Sequence, residues 1–145
     1  MEFLNPQPST GIYTPVNRIE LPHLVVFDYD TQLGPKRIIR SKLRSLNRSA
    51  DDSDLIDKIG KDLFTVNDPT NQDYRPANCC FSFRDVNFMS SGMLGKYITF
   101  DERQKSQDQP GLSMAEVIPN ISEVFKITHL NELFRFHEDE EDFLI

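Results

Sequence analysis

Two kinds of apolar spacing alternate along the chain, and each predicts a different kind of secondary structure. The run from Leu24 to Phe27 is continuously apolar and rich in β-branched and aromatic residues. This composition predicts a strand that is buried on both faces and central in a sheet. The run over 79–83 predicts another strand, and shorter runs predict strands at 16–21, 112–118 and 133–136.

Helical spacing is clearest after a predicted cap at Ser53 or Asp54. The apolar residues after this cap recur at i, i+1, i+4, i+8 and i+9 and therefore lie on one face of a helix: Leu55, Ile56, Ile59, Leu63 and Phe64. We expect this helix to stop at 67–69. A second helix is predicted over 92–100, with the apolar face Met93, Leu94, Tyr97 and Ile98.

Two further helices are predicted near the end of the chain. Pro119 suits the first position of a helix, and the acidic residues at 138–142 suit the first turn of another because the helix dipole favours negative charge there. Strands that alternate with helices predict an α/β fold. We expect a mixed central β-sheet of about four to five strands covered by about four helices.

The pattern is weakest in two segments. Residues 1–15 carry three prolines among small and polar residues, which predicts a flexible tail before a single domain at 16–145. Residues 31–52 are rich in Lys, Arg and Ser and contain Gly34-Pro35, and they predict a basic loop insertion.

The composition narrows the classes of function. The chain has 145 residues and a formal net charge of -7, which suits one compact domain and argues against nucleic acid as the main partner. The adjacent Cys79 and Cys80 suit buried thiols in a reducing compartment better than a disulfide framework. No apolar run approaches the length of a membrane span, so we expect a cytoplasmic protein without membrane contact.

The serine pair Ser90-Ser91 is the strongest candidate for a functional site. It follows a strand-like run and begins the helix predicted at 92–100. A helix start presents free N–H groups and a partial positive charge, which favour a phosphate. The simpler interpretation is that one of these serines caps the helix.

Other polar residues offer weaker candidates. The stretch Val25-Val26-Phe27-Asp28-Tyr29-Asp30-Thr31 superficially resembles the nucleophile motif of haloacid-dehalogenase-like phosphatases, although no later strand supplies the acids that would hold Mg²⁺. The three histidines are scattered and predict no metal site. The acidic run at 138–142 is most simply a solvent-exposed helix face.

From Cys79 onward the chain resembles a STAS domain of the anti-sigma factor antagonist type. The first signature is a strand and turn that lead into a helix, seen here as Phe88-Met89-Ser90-Ser91-Gly92-Met93-Leu94-Gly95-Lys96. The second is a helix followed by a short strand, seen here over 121–134. Ser90 stands where the family usually has Asp, and Gly92-Met93 replace its Ser-Gly.

The resemblance implies a function. Ser91 matches the position that a partner kinase phosphorylates, and Ser90 is the second choice. The partner is implied to be an anti-sigma factor or a serine kinase of the histidine-kinase-like ATPase type, in a bacterial partner-switching circuit that regulates transcription. The residues implied to contact it are Ser90, Gly92, Met93, Leu94, Lys96 and Asp30. No catalytic activity, cofactor or metal is implied.

Two other functions remain open at this point. The domain could be a constitutive, stressosome-like scaffold that associates with copies of itself, with the serines acting only as caps. It could instead be a phosphatase-like enzyme that uses Asp28.

Overall fold

The strands and helices follow the predicted α/β alternation. The computed structural model describes residues 3–8, 11, 13–46 and 54–145. In this part of the chain the strands are β1 (Asn17–Glu20), β2 (Leu24–Thr31), β3 (Gly34–Ser41), β4 (Ser45–Leu46), β5 (Asn78–Ser82), β6 (Phe88–Met89), β7 (Ser113–Ala115) and β8 (Arg135–His137). The helices are α1 (Leu55–Val66), α2 (Gly92–Ser106), α3 (Pro119–Ile127) and α4 (Glu140–Leu144).

The central sheet is mixed, as the sequence predicts, and in the described residues it has six strands in the order β1-β2-β3-β5-β7-β8. The pairs β1–β2 and β2–β3 are antiparallel, whereas β3, β5, β7 and β8 run parallel. These four strands therefore end on the same side of the sheet, called here the carboxyl side. Strands β4 and β6 form a separate parallel pair next to it.

The two faces of the sheet are covered unequally. Side chains alternate across β2, so that Val26 faces the larger core with α1, α2 and α3, and Phe27 faces a smaller core with α4. Both residues are almost fully buried, which confirms the prediction of a strand buried on both faces. In the larger core, Tyr97 of α2 packs 4.9 Å from the ring of Phe81 on β5.

The prediction of a basic loop over 31–52 is wrong between Gly34 and Ser41, where the chain forms β3. Three of its basic side chains are buried, Lys36, Arg37 and Arg40. They are accommodated because partners elsewhere in the chain neutralise or bind them, and this pairing is invisible in local sequence. Residues 47–52 of the predicted loop lie outside the described residues.

Other boundaries differ in smaller ways. Of the two predicted caps of α1, Ser53 lies outside the described residues, and Asp54 occupies the cap position without a side-chain capping bond among the described residues. In the predicted tail, Leu4 N donates to Lys42 O at 2.7 Å, so the described residues 3–8 are anchored at this point. Every helix in the described ranges is too short or too polar to cross a bilayer.

Candidate functional site

The serine turn, Ser90 and Ser91, joins β6 to α2. Strand β6 is held beside β4, and Ser90 N donates to Leu46 O at 2.9 Å just beyond the paired residues. The carbonyl oxygens of Ser90 and Ser91 then accept from Met93 N and Leu94 N, both at 3.1 Å, and these bonds begin the helix. The turn is therefore fixed on both sides by backbone hydrogen bonds.

The two hydroxyls differ in their surroundings. Ser91 is exposed, and none of the described N–H groups donates a capping hydrogen bond to its side chain. Its helical backbone angles, φ -60° and ψ -20°, explain this because a capping serine normally has extended angles. The Oγ atom of Ser90 is buried and has no hydrogen-bond partner among the described residues. Ser91 is therefore the hydroxyl that a kinase could reach, and it is not engaged as a cap.

The charge around Ser91 favours an added anion. The first turn of α2 contains no acidic residue in the described structure, and its N–H groups form the positive end of the helix dipole. The nearest basic residue along α2 is Lys96, whose Nζ lies 3.1 Å from Asp57 Oδ1 on α1. A phosphate on Ser91 would therefore lie at the positive end of the helix dipole, with no acidic residue in the first turn of its own helix.

Comparison with solved structures identifies the fold that holds the serine turn. The chain is similar to an anti-sigma-factor antagonist (STAS) domain protein from Planctomyces limnophilus, with a TM-score of 0.57 and 17% identity over 74% of this chain and 86% of that one. The chain has the STAS fold. It is also similar to a candidate anti-sigma factor antagonist from Thermotoga maritima, with a TM-score of 0.55 and 12% identity over 72% and 82% of the two chains. No family model matches the sequence, and no curated protein matches it.

The STAS fold brings together only some of the residues expected to contact a partner. Gly92 is exposed and Lys96 half-buried beside the serine turn. Met93 and Leu94 are only 0% and 5% exposed and belong to the larger core. A direct contact role for these two is wrong, because they point towards the sheet and anchor the start of α2.

Asp30 is also not part of this surface. It pairs with Pro35 near the β2–β3 turn, whereas Leu24 at the other end of β2 pairs with Ser41 on the carboxyl side. Because β2 runs antiparallel to β3, Asp30 and the serine turn lie at opposite ends of the sheet. The exposed carboxylate of Asp30 forms an ion pair with Arg75 instead.

Two apolar residues near the serine turn were not predicted from the sequence. Phe88 is 45% exposed on β6, and Ile118 is 36% exposed immediately before α3. Asn120 Nδ2 donates to Asn87 O at 3.0 Å and links the two segments. Phe88 is exposed and Met89 is buried, but both are apolar, so the sequence does not show which of the two faces solvent.

A cleft of about 610 Å³ opens beside these residues at the carboxyl side of the sheet. Asp85 and Glu116 line it, with φ of 63° and 58°, angles that non-glycine residues seldom adopt. Arg84 holds Glu116 through bonds of 2.6–3.0 Å, and this contact raises the pKa of Arg84. Strained residues concentrate at functional sites, and sequence alone gave no sign of these two.

The acidic residues singled out from the sequence are held in ion pairs. Both carboxylate oxygens of buried Asp28 accept from Arg37, at 2.6 and 3.0 Å. A carboxylate held in this way is not available as a nucleophile, so the phosphatase alternative lacks structural support. The described residues contain no cluster of three or more His, Cys, Asp or Glu side chains that could hold a metal ion.

The acidic run at 138–142 is not simply a solvent-exposed face, as the sequence had suggested. Glu140 is 0% exposed, and its carboxylate accepts from Arg40 at 2.6 and 2.7 Å and from Ser82 Oγ at 2.6 Å. It is buried because Arg40 presents a guanidinium on the same face of the sheet. The neighbouring Glu138, Asp139, Glu141 and Asp142 are exposed as expected.

Proposed function

We propose that this chain is a binding module of the anti-sigma factor antagonist type, without catalytic activity of its own. In its unmodified form it binds an anti-sigma factor, and phosphorylation of Ser91 releases that partner. The observation that carries the proposal is an exposed hydroxyl, free of a capping bond to the described residues, at the start of α2 in a STAS fold. Both similar structures described above carry the antagonist name.

The proposed mechanism is a change in charge at a rigid surface. A phosphate adds about -1.5 to -2 charges beside the first N–H groups of α2. The exposed Phe88 and Ile118 provide the apolar part of the surface around it. A partner that covers these residues would have to desolvate the phosphate, which opposes binding without unfolding the domain. The partner we propose is a serine kinase of the histidine-kinase-like ATPase type.

Affinity capture with four purified baits tests this proposal: wild type, Ser91→Ala, Ser91→Glu and Ser122→Glu. Ser122 lies in the first turns of α3, so the last bait makes the same change near another helix start. We expect wild type, Ser91→Ala and Ser122→Glu to capture the same ATPase from a lysate of the source organism. Ser91→Glu should capture about tenfold less, a change of about 1.4 kcal/mol.

The captured ATPase then allows a direct assay of modification. Incubated with ATP and the wild-type domain, it should place phosphate on Ser91, as mapped by mass spectrometry, and leave Ser91→Ala unmodified. Phosphate on another residue, or equal capture by all four baits, would contradict the proposal.

A second candidate function is favoured by the edge of the sheet. Strand β8 is an edge strand, and Phe136 and the preceding Leu133 are 39% and 40% exposed. Exposed strand edges can pair with another chain. We propose self-assembly as the alternative, in which the domain is a constitutive scaffold. Sedimentation velocity would then show concentration-dependent association that Phe136→Ser weakens and Ser91→Glu leaves unchanged.

A further inference from the structure

A groove of about 520 Å³ runs between α1 and α2; neither serine of the turn lines it, although Lys96 beside the turn does. Each helix contributes residues at helical spacing: Gly60, Lys61 and Phe64 from α1, and Lys96, Phe100 and Arg103 from α2. A volume of about 300–1,000 Å³ is usual for a binding site. The groove is therefore large enough to hold several apolar side chains.

The floor of the groove is apolar. Leu63 and Phe100 close it, and each is only 2% exposed. Gly60 lets the stem of the Lys96 side chain lie directly against α1, because a Cβ atom there would be 2.8 Å from Lys96 Cδ. Phe64, predicted to be part of the buried face of α1, is instead 55% exposed at the groove. An exposed aromatic ring beside a buried floor provides apolar area that a ligand can cover.

The rim of the groove is basic, although the chain as a whole has a net charge of -7. It carries Lys61, Lys96 and Arg103 against a single acid, Asp57. No described residue forms an ion pair with Lys61. Cations at the edge of an apolar floor favour a ligand that has an apolar face with acidic flanks.

Arg103 holds one end of the groove in a fixed geometry. Its guanidinium carbon lies 3.8 Å from the centre of the Phe64 ring. Its nitrogens donate to Phe64 O and to Asn67 O, both at 3.2 Å, at the end of α1. The cation and the aromatic ring are thus positioned before any ligand binds, which lowers the entropy cost of binding.

We propose that this groove binds an acidic amphipathic helix of a partner protein. The groove residues 57–67, which belong to α1 and its C-terminal cap, span about 15 Å, so about ten residues of a bound helix would lie along the groove. Apolar side chains of that helix would cover Phe64 and the floor, and its Glu or Asp residues would approach Lys61 and Lys96. A flat anionic membrane offers the same charge but cannot reach the floor of a groove. Ser91 is not among the residues that line the groove.

The probe is a pair of fluorescein-labelled model peptides of about 14 residues, or roughly four helical turns. Both carry the same Leu and Phe stripe at i, i+3, i+4 and i+7, flanked by Glu in one peptide and by Lys in the other. Fluorescence polarisation should show binding of the Glu peptide at least about tenfold tighter than that of the Lys peptide. Amide NMR shifts should change around Gly60, Phe64 and Lys96 and not at β8.

Matched variants locate the site on the unphosphorylated full chain. Lys61→Glu should weaken binding of the Glu peptide about fivefold or more, whereas Lys126→Glu, exposed on α3, should change it less than about twofold. Phe64→Ala should weaken binding about tenfold. Ile127→Ala, which removes a 70% exposed apolar side chain elsewhere, should leave it unchanged.

Four results would overturn the proposal. Equal affinity for both peptides would remove the charge argument. Amide shifts that map away from the groove, or equal effects of Lys61→Glu and Lys126→Glu, would remove the location. If sedimentation showed that the wild-type chain is a dimer and that Phe64→Ala is a monomer, the groove would be assigned to a second copy of the chain. None of these results bears on capture by the Ser91 baits, so the two proposals fail separately.

Discussion

At the scale of single residues, the stability of a buried carboxylate depends on whether its hydrogen bonds and ion pairs offset the cost of removing it from water. Asp62 on α1 is 6% exposed, and its carboxylate accepts from His23 N at 2.7 Å while lying 3.5 Å from His23 Nδ1. Burial raises the pKa of the Asp62 carboxyl, and the contacts with His23 lower it by less. The charged form of Asp62 is therefore a local cost to stability at neutral pH.

This raised pKa gives a pH dependence with a defined sign. Because the folded-state pKa of Asp62 exceeds the usual 3.8, its contribution to the free energy of unfolding is complete below that value and is lost as pH rises through the raised pKa. The amide of an Asp62→Asn variant would not titrate. Urea unfolding between about pH 4 and pH 7 should therefore show Asp62→Asn gaining stability relative to wild type as pH rises. A difference that stays constant with pH would contradict this account.

At the scale of elements, the β2–β3 hairpin shows how one backbone position allows a turn. Thr31 pairs with Gly34 across the two-residue turn, and Thr31 Oγ1 donates to Gly34 O at 2.8 Å. Gly34 has φ of +105°, an angle that residues other than glycine rarely adopt. Gly95 lies within α2, where an added Cβ would meet nothing within 4 Å among the described atoms.

The same substitution should therefore have opposite effects at these two glycines. Gly34→Ala should lower the free energy of unfolding by about 1–2 kcal/mol, because the strained backbone angle would persist with a Cβ present. Gly95→Ala should raise it by about 0.5–1 kcal/mol through helix propensity. Urea denaturation with a constant m-value measures both. Destabilisation by both substitutions would show that Gly95 has a packing role.

At the scale of the whole molecule, the short helix α4 covers the second face of the sheet. Phe143 and Leu144 pack in the smaller core, and Lys36 Nζ donates to Phe143 O. Burial lowers the pKa of Lys36. Glu140 bonds to Arg40 across 100 residues of sequence. The end of the chain is thereby tied to a strand formed near its beginning.

Removing this tie should cost a large share of the stability. Glu140→Ala leaves Arg40 without its buried carboxylate partner and should lower the free energy of unfolding by about 3–5 kcal/mol. The exposed Glu138→Ala should change it by less than about 0.5 kcal/mol. Hydrogen exchange should speed up first in α4 and β8. A loss as small as that of the control would show that α4 contributes little to the fold.

Some features of the functional surface could be predicted from local sequence, and others depend on how the helices and strands pack. The spacing of residues 88–96 predicted the serine turn and the start of α2, because both depend on neighbours within one helical turn. The exposure of Phe64 and the burial of Met93 depend on how α1 and α2 pack. The distance between Asp30 and Ser91 depends on the direction of β2. These features could not be obtained from local periodicity.

The sequence by itself determined the α/β class, the strand at Leu24–Phe27 and the positions of the four helices, because apolar periodicity acts over a few residues. Only the tertiary structure decided that the basic segment 34–41 is an interior strand. Its charges are buried because Asp28, Glu140 and the carbonyl of Phe143 meet them from 9, 100 and 107 residues away. From local sequence, a charged residue is predicted to be exposed to solvent. It can be buried only when folding brings a partner close enough to offset the free-energy cost of its desolvation.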